Sequence, residues 1–194
     1  LIGGYFGNAV APGVVGATIG GGGSSGYVNL VTGDYGTVGG GQRNAAGTTD
    51  EHPYATVGGG FANAASGMGA TVGGGENNKA TGMWATVAGG GHAQEQHGNR
   101  ATDDGCTVGG GVNNQAGDAA GTTNDRWNAT VGGGGGNLAS GIGSTVGGGG
   151  GNQATGWRAT VAGGGVNYAK GDQATVGGGQ NNIASGDFAT VAGG

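Results

Sequence analysis

Few residues of this 194-residue chain have side chains able to do chemistry, and those few are clustered. His92, Glu95 and His97 are three metal-ligand types within six positions, a set from which an imidazole-carboxylate metal site could draw. Asp50-Glu51, followed by His52, and Asp103-Asp104 are adjacent acids of the kind that could serve as acid and nucleophile on a glycosidic bond. Tyr54 closes the first of these segments, while Asp125, Arg126 and Trp127 form a third. Together they are candidate ligand or receptor loops, with rings that could stack on a sugar or lie against a protein surface. The plainer reading is favoured for every cluster, because loop acids are most often solvated charge and no helix places the two histidines on one face. No Ser-His-Asp order is readable, and the Gly runs lack the Lys-Ser/Thr of a phosphate loop. The chain is therefore expected to have no catalytic residue, no metal and no cofactor, and not to be an enzyme.

These clusters interrupt an otherwise uniform chain. Gly accounts for 58 residues, charged residues for 9% and hydrophobic residues for 34%. Only 2 Pro are present, which excludes collagen. Six basic against eleven acidic residues give a net charge of −5, which speaks against nucleic acid as a partner. No apolar run is long enough to span a membrane. A Thr-Val or Thr-Ile pair recurs at Thr18, Thr37, Thr56, Thr71, Thr86, Thr107, Thr130, Thr145, Thr160, Thr175 and Thr190. Counted from Leu1, six of the eleven spacings are 15 and none is shorter. An Asn stands seven residues after the Thr in most units, and an Ala follows two residues later. A disordered Gly-rich linker keeps no such phase.

A period of 15 suits one rung of an all-β parallel solenoid, with two short strands and two corners, repeated about 11 times over a single domain of residues 1–194. Thr-Val places its two side chains on opposite faces of a strand. The inward column is then Val57, Val72, Val87, Val131, Val146, Val161 and Val176. In-register Asn63, Asn78, Asn137, Asn152 and Asn182 could form a stacked amide ladder. A core of one Val and one or two Ala per rung is thin against the entropy of ordering fifteen Gly-rich residues. A second face buried against copies of the same chain is therefore part of the expectation, with Gly letting another backbone approach.

The unit, for example Ala70-Thr71-Val72-Gly73-Gly74-Gly75 through Ala80-Thr81-Gly82, resembles the head repeat of trimeric autotransporter adhesins, and is similar to repeats of phage-type tail fibres. The resemblance implies a left-handed parallel β-roll, assembled as a homotrimer, at a cell or virion surface. It differs in being one residue longer and in having Gly at the second core aliphatic position, at Gly59, Gly74 and Gly178.

The five longer intervals imply corner loops near residues 24–35, 48–54, 92–104 and 117–128, with most of the excess expected after the second strand, at one corner. These loops contain 8 of the 11 acids and all three His. Tyr35, Tyr54, Trp84, Trp127, Trp157 and Phe188 are expected along that corner, and Cys106 in a buried Ala slot. The function expected is an extracellular fibre or adhesin shaft, or head, presenting loops to a host-surface or matrix glycan or protein. The alternative is a virion-type tail fibre or spike that recognises a surface glycan. An ice-binding Thr array and a subunit that polymerises end to end are lesser alternatives.

Overall fold

The computed structural model describes residues 1–48 and 53–194. The chain winds as a parallel β-solenoid with two eleven-stranded sheets, each strand two residues long. The first sheet runs from Thr18–Ile19 to Thr190–Val191, and the second from Ala9–Val10 to Ile183–Ala184. Each strand pairs with the equivalent strand of the next rung, Thr56 on Thr71 and Val57 on Val72, so equivalent positions of the repeat stack. Residues alternate across each strand. Thr faces out half-buried, while Ile19 and the nine Val that follow it from Val38 to Val176 are fully buried, as are the Ala of the second strands from Ala46 to Ala169. A third inward column precedes each Thr: Ala55, Ala70, Ala85, Cys106, Ala129, Ala159 and Ala174 are fully buried, with Ser144 in the same column.

The remaining interior is filled by Asn, which corrects the expectation of a plain amide stack. Asn63 Nδ2 donates to Gly59 O (2.9 Å) and to Gly75 O of the next rung (2.8 Å), and its Oδ1 accepts the backbone N–H of Asn78 (2.9 Å). Asn137 repeats the pattern with Gly133 O, Gly149 O and Asn152 N–H. The relay thus runs from side chain to backbone. Among the described residues, direct amide-to-amide bonds join only Asn152 to Asn167 (3.2 Å) and Asn167 to Asn182 (3.1 Å). Each buried amide of the relay has its hydrogens and its oxygen used, the condition under which a polar group is accommodated in a core.

This relay also explains the third Gly of each Thr-Val-Gly-Gly-Gly run. Gly75 has φ +87°, and a Cβ there would collide with Gly90 O of the next rung and come 2.8 Å from Asn78 Nδ2. Both the left-handed backbone and the close approach require Gly. The close approach is therefore between rungs of one chain, where the sequence suggested contact with another chain. At Gly74 and Gly178, by contrast, a Cβ would find no neighbour closer than 4.0 Å. These positions face open space, so they are not gaps in the core.

In the Asn-Asn pairs the two residues have different tasks. Asn77, Asn113 and Asn181 turn the corner at φ 55–59°, and the Asn after each joins the relay. Left-handed angles suit Asn. Val166, at φ 55° in the same corner, adopts them at a steric cost of about 1 to 2 kcal/mol.

Candidate functional site

Each rung has two edges: a Gly edge between first and second strand, and a return edge between the second strand and the next first strand. The long rungs divide between them, contrary to the expectation that the loops share one corner. In the rungs opening at Thr18 and Thr86 the extra residues precede Asn29 and Asn99, on the Gly edge. In those opening at Thr37 and Thr107 they follow Ala46 and Ala116, on the return edge. Asn29 and Asn99 are full members of the relay, donating to Gly41 O (2.9 Å) and Gly111 O (2.7 Å). Counting forward from Thr passed over both. Counting back from the second strand, Asn29-Leu30-Val31 and Asn99-Arg100-Ala101, would have found them.

His92, Glu95 and His97 lie on the Gly edge, where Glu95–His97 forms one 3-10 turn. The two imidazoles meet edge to face, 5.6 Å between ring centres, and His92 Nδ1 accepts the N–H of Gln94 (3.2 Å). The Glu95 side chain lies outside the described part, as do the residues Asp50, Glu51 and His52.

The return edge carries most of the exposed rings and most of the described acids. Tyr35, Tyr54, Trp84 and Phe188 occupy one position of the rung with φ between 56 and 67°. Trp84 lays its indole over Gly69 of the preceding rung, and Tyr35 covers Gly16 in the same way. Tyr35 and Tyr54 stack at 5.2 Å with an 11° interplanar angle. Trp127 and Trp157 stand one residue earlier, and the Arg158 guanidinium lies 4.5 Å over the Trp157 ring. The acids beside them have a repeated job. Asp34, Asp104, Asp172 and Asp187 each accept, through Oδ1, the N–H of the same position one rung earlier: Val15 (2.8 Å), Met83 (2.8 Å), Trp157 (2.9 Å) and Asp172 (2.9 Å).

Asp103 and Asp104, adjacent in sequence, therefore act separately. Asp104 is a corner cap, while Asp103 is fully buried. Its Oδ2 accepts the Thr102 hydroxyl (3.0 Å) and the Asp118 N–H (2.9 Å). Its Oδ1 has no hydrogen-bond partner. Burial, reinforced by Asp118 and Asp125, holds its carboxyl above the usual carboxylate range, although the bonds from Thr102 and Asp118 N–H act the other way. Asp125 and Asp118 belong to the long insert of residues 117–128, where the exposed Arg126 Nε lies 3.3 Å from Asp118 Oδ2. Beside the insert, Thr81, Thr102, Ala119, Gly121, Thr122 and Thr123 line a shallow pocket of about 270 Å³. Cys106 is a free, fully buried thiol, pushed up to about 11 by burial.

No protein-family model matches the chain, and no curated protein matches it.

Proposed function

We propose that the chain is a structural rod, the shaft or head of an extracellular or virion-surface fibre, which self-associates side by side as a homotrimer and presents its edge loops for attachment. The observation that carries this reading is the contrast between the two outer faces. The outward position of the first sheet is Thr in all eleven strands. The equivalent position of the second sheet varies freely: Ala9, Leu30, Ala45, Ala64, Lys79, Arg100, Gln115, Leu138, Gln153, Tyr168 and Ile183. Strand propensity alone would accept Val, Ile or Tyr in place of Thr. A column held constant for about 50 Å of rod, at roughly 4.8 Å per rung, fits a partner with the same repeat, and a copy of this chain has it. The open-faced glycines Gly40, Gly74 and Gly148 border that column and leave room for a second backbone.

The native mass in solution tests the reading. A trimer is expected, dissociated by Thr145→Arg on the first sheet and retained in Gln153→Arg on the second. A monomer at tens of micromolar protein would refute it. The same Thr column supports one other reading, an ice-binding face, which a monomer showing thermal hysteresis would favour. Between a cell-surface adhesin and a virion fibre the fold is common, and the flanking domains, a membrane anchor or a particle-attachment module, distinguish them.

A further inference from the structure

We infer that Asp103, Asp118 and Asp125 form a binding site for one divalent cation of the calcium class, which ties the 117–128 insert to the preceding rung. The repeat itself makes Asp103 conspicuous. Its position, four residues before Thr, is Gly33, Gly67, Gly82, Gly141, Gly156, Gly171 and Gly186 in other rungs, and all but the last of these are buried. A buried bare backbone position has been replaced, in one rung, by a buried carboxylate. Space has been cleared for it: a Cβ on Gly117 would collide with Asp103 Oδ2 and with Thr102 Oγ1.

The second observation is the orphaned oxygen. Asp103 Oδ1 is buried without a donor, and the carboxyl of Asp125 comes against the same side chain. A buried acceptor beside another carboxylate is costly unless a shared proton or a cation occupies the space between them. Arg126 does not fill that role, since its Nε is on Asp118 Oδ2 at the exposed side. Asp118 Oδ1 is engaged by the N–H of Ala120 (2.8 Å). Among the described residues, this is the one place where three potential ligand side chains converge.

The donor set selects the ion. Three carboxylates with no His or Cys are hard oxygen ligands. One oxygen from each carboxylate lies within 4.8 Å of the others. Calcium takes six to eight oxygens in a flexible geometry, whereas magnesium keeps several waters and is held by one or two carboxylates, so a set of three carboxylates suits the larger ion. Backbone carbonyls and water would complete its shell.

Calcium titration of the full chain at pH 7.5 tests the inference, read by calorimetry and by competition with terbium, whose emission Trp127 in the same insert would sensitise. One equivalent is expected to bind, with a dissociation constant of about 1 mM or tighter. Calcium should also slow proteolysis within 117–128. Asp103→Gly restores the residue that seven other rungs carry, so it should fold and lose the calcium response. Asp125→Asn, at an exposed position, should weaken calcium at least about tenfold, and should protect the insert relative to wild type when calcium is absent, because one unpaired carboxylate is gone. No binding to wild type at about ten times that concentration, or a calcium response unchanged in Asp103→Gly, would overturn the assignment.

Discussion

Replacing Asn152 tests whether the buried relay holds the rungs together. Its Nδ2 donates to Gly148 O and Gly164 O, both at 2.9 Å, and its Oδ1 accepts the buried N–H of Asn167 at 2.9 Å. Asn152→Ala leaves the Asn167 N–H without an acceptor, at about 1 to 3 kcal/mol, and removes two further bonds worth about 1 kcal/mol each. Gly164 O keeps the N–H of Gly150, which moderates the loss. The expected destabilisation is about 3 kcal/mol. Asn152→Asp is more informative because it preserves shape. It keeps the acceptor for Asn167 but turns an oxygen towards two carbonyls and buries a charge, so at pH 7 it should cost more than Ala. Burial raises the folded-state pKa of this new Asp above its unfolded value. Its stability contribution is therefore present at low pH and lost as pH rises through the folded pKa, and the gap between the variant and wild type should narrow from pH 7 to pH 4.5. Urea unfolding at fixed protomer concentration gives the differences, and amide exchange at Asn167 localises them. Gln153→Ala, on the outer face, should stay within about 0.5 kcal/mol of wild type. An Asn152→Ala variant as stable as that control, or an Asn152→Asp variant equal to wild type at pH 7, would refute the relay as a source of stability.

Two other outcomes follow from the same core. Ser144 Oγ is buried without a partner in a column whose neighbours, Ala129 and Ala159, are Ala. Ser144→Ala should therefore stabilise the protein by about 1 kcal/mol in urea unfolding, and a loss of stability would show that the hydroxyl is bonded. Cys106, with its thiol pushed up to about 11 by burial, should react with a thiol reagent at pH 8 roughly 100-fold more slowly than in urea-unfolded chain, and equal rates would place the thiol at the surface.

The period, the two strands and the inward Val and Ala columns were legible because each depends on local alternation and repeats in phase. The Asn column was legible too, but its bonding was not. Spacing places Asn63 above Asn78, whereas the partners of each amide are Gly carbonyls whose directions depend on the corner angles. The loops were assigned to one edge because spacings were counted from Thr, and a count from one end cannot say on which side of the second strand an insertion falls. Asp103 was grouped with solvated acids for want of a comparison between rungs. Set against Gly82 and Gly141, it is the side chain that departs from a buried Gly column. The wide corner angles at Tyr35 and Trp84 had no signal of their own, since aromatic residues carry little preference for that backbone.

The register of Thr on Thr and Asn on Asn makes the 15-residue rungs interchangeable with one another. Removing or duplicating one 15-residue unit leaves each remaining strand facing an edge with the same backbone register and the same inward residues, and the Asn relay closes across the new junction. The gene for such a chain can therefore lengthen or shorten by recombination between its own near-identical segments without any new packing being invented. The molecule is a ruler graduated in steps of about 4.8 Å. Its reach can change while the corner loops it carries keep their shape.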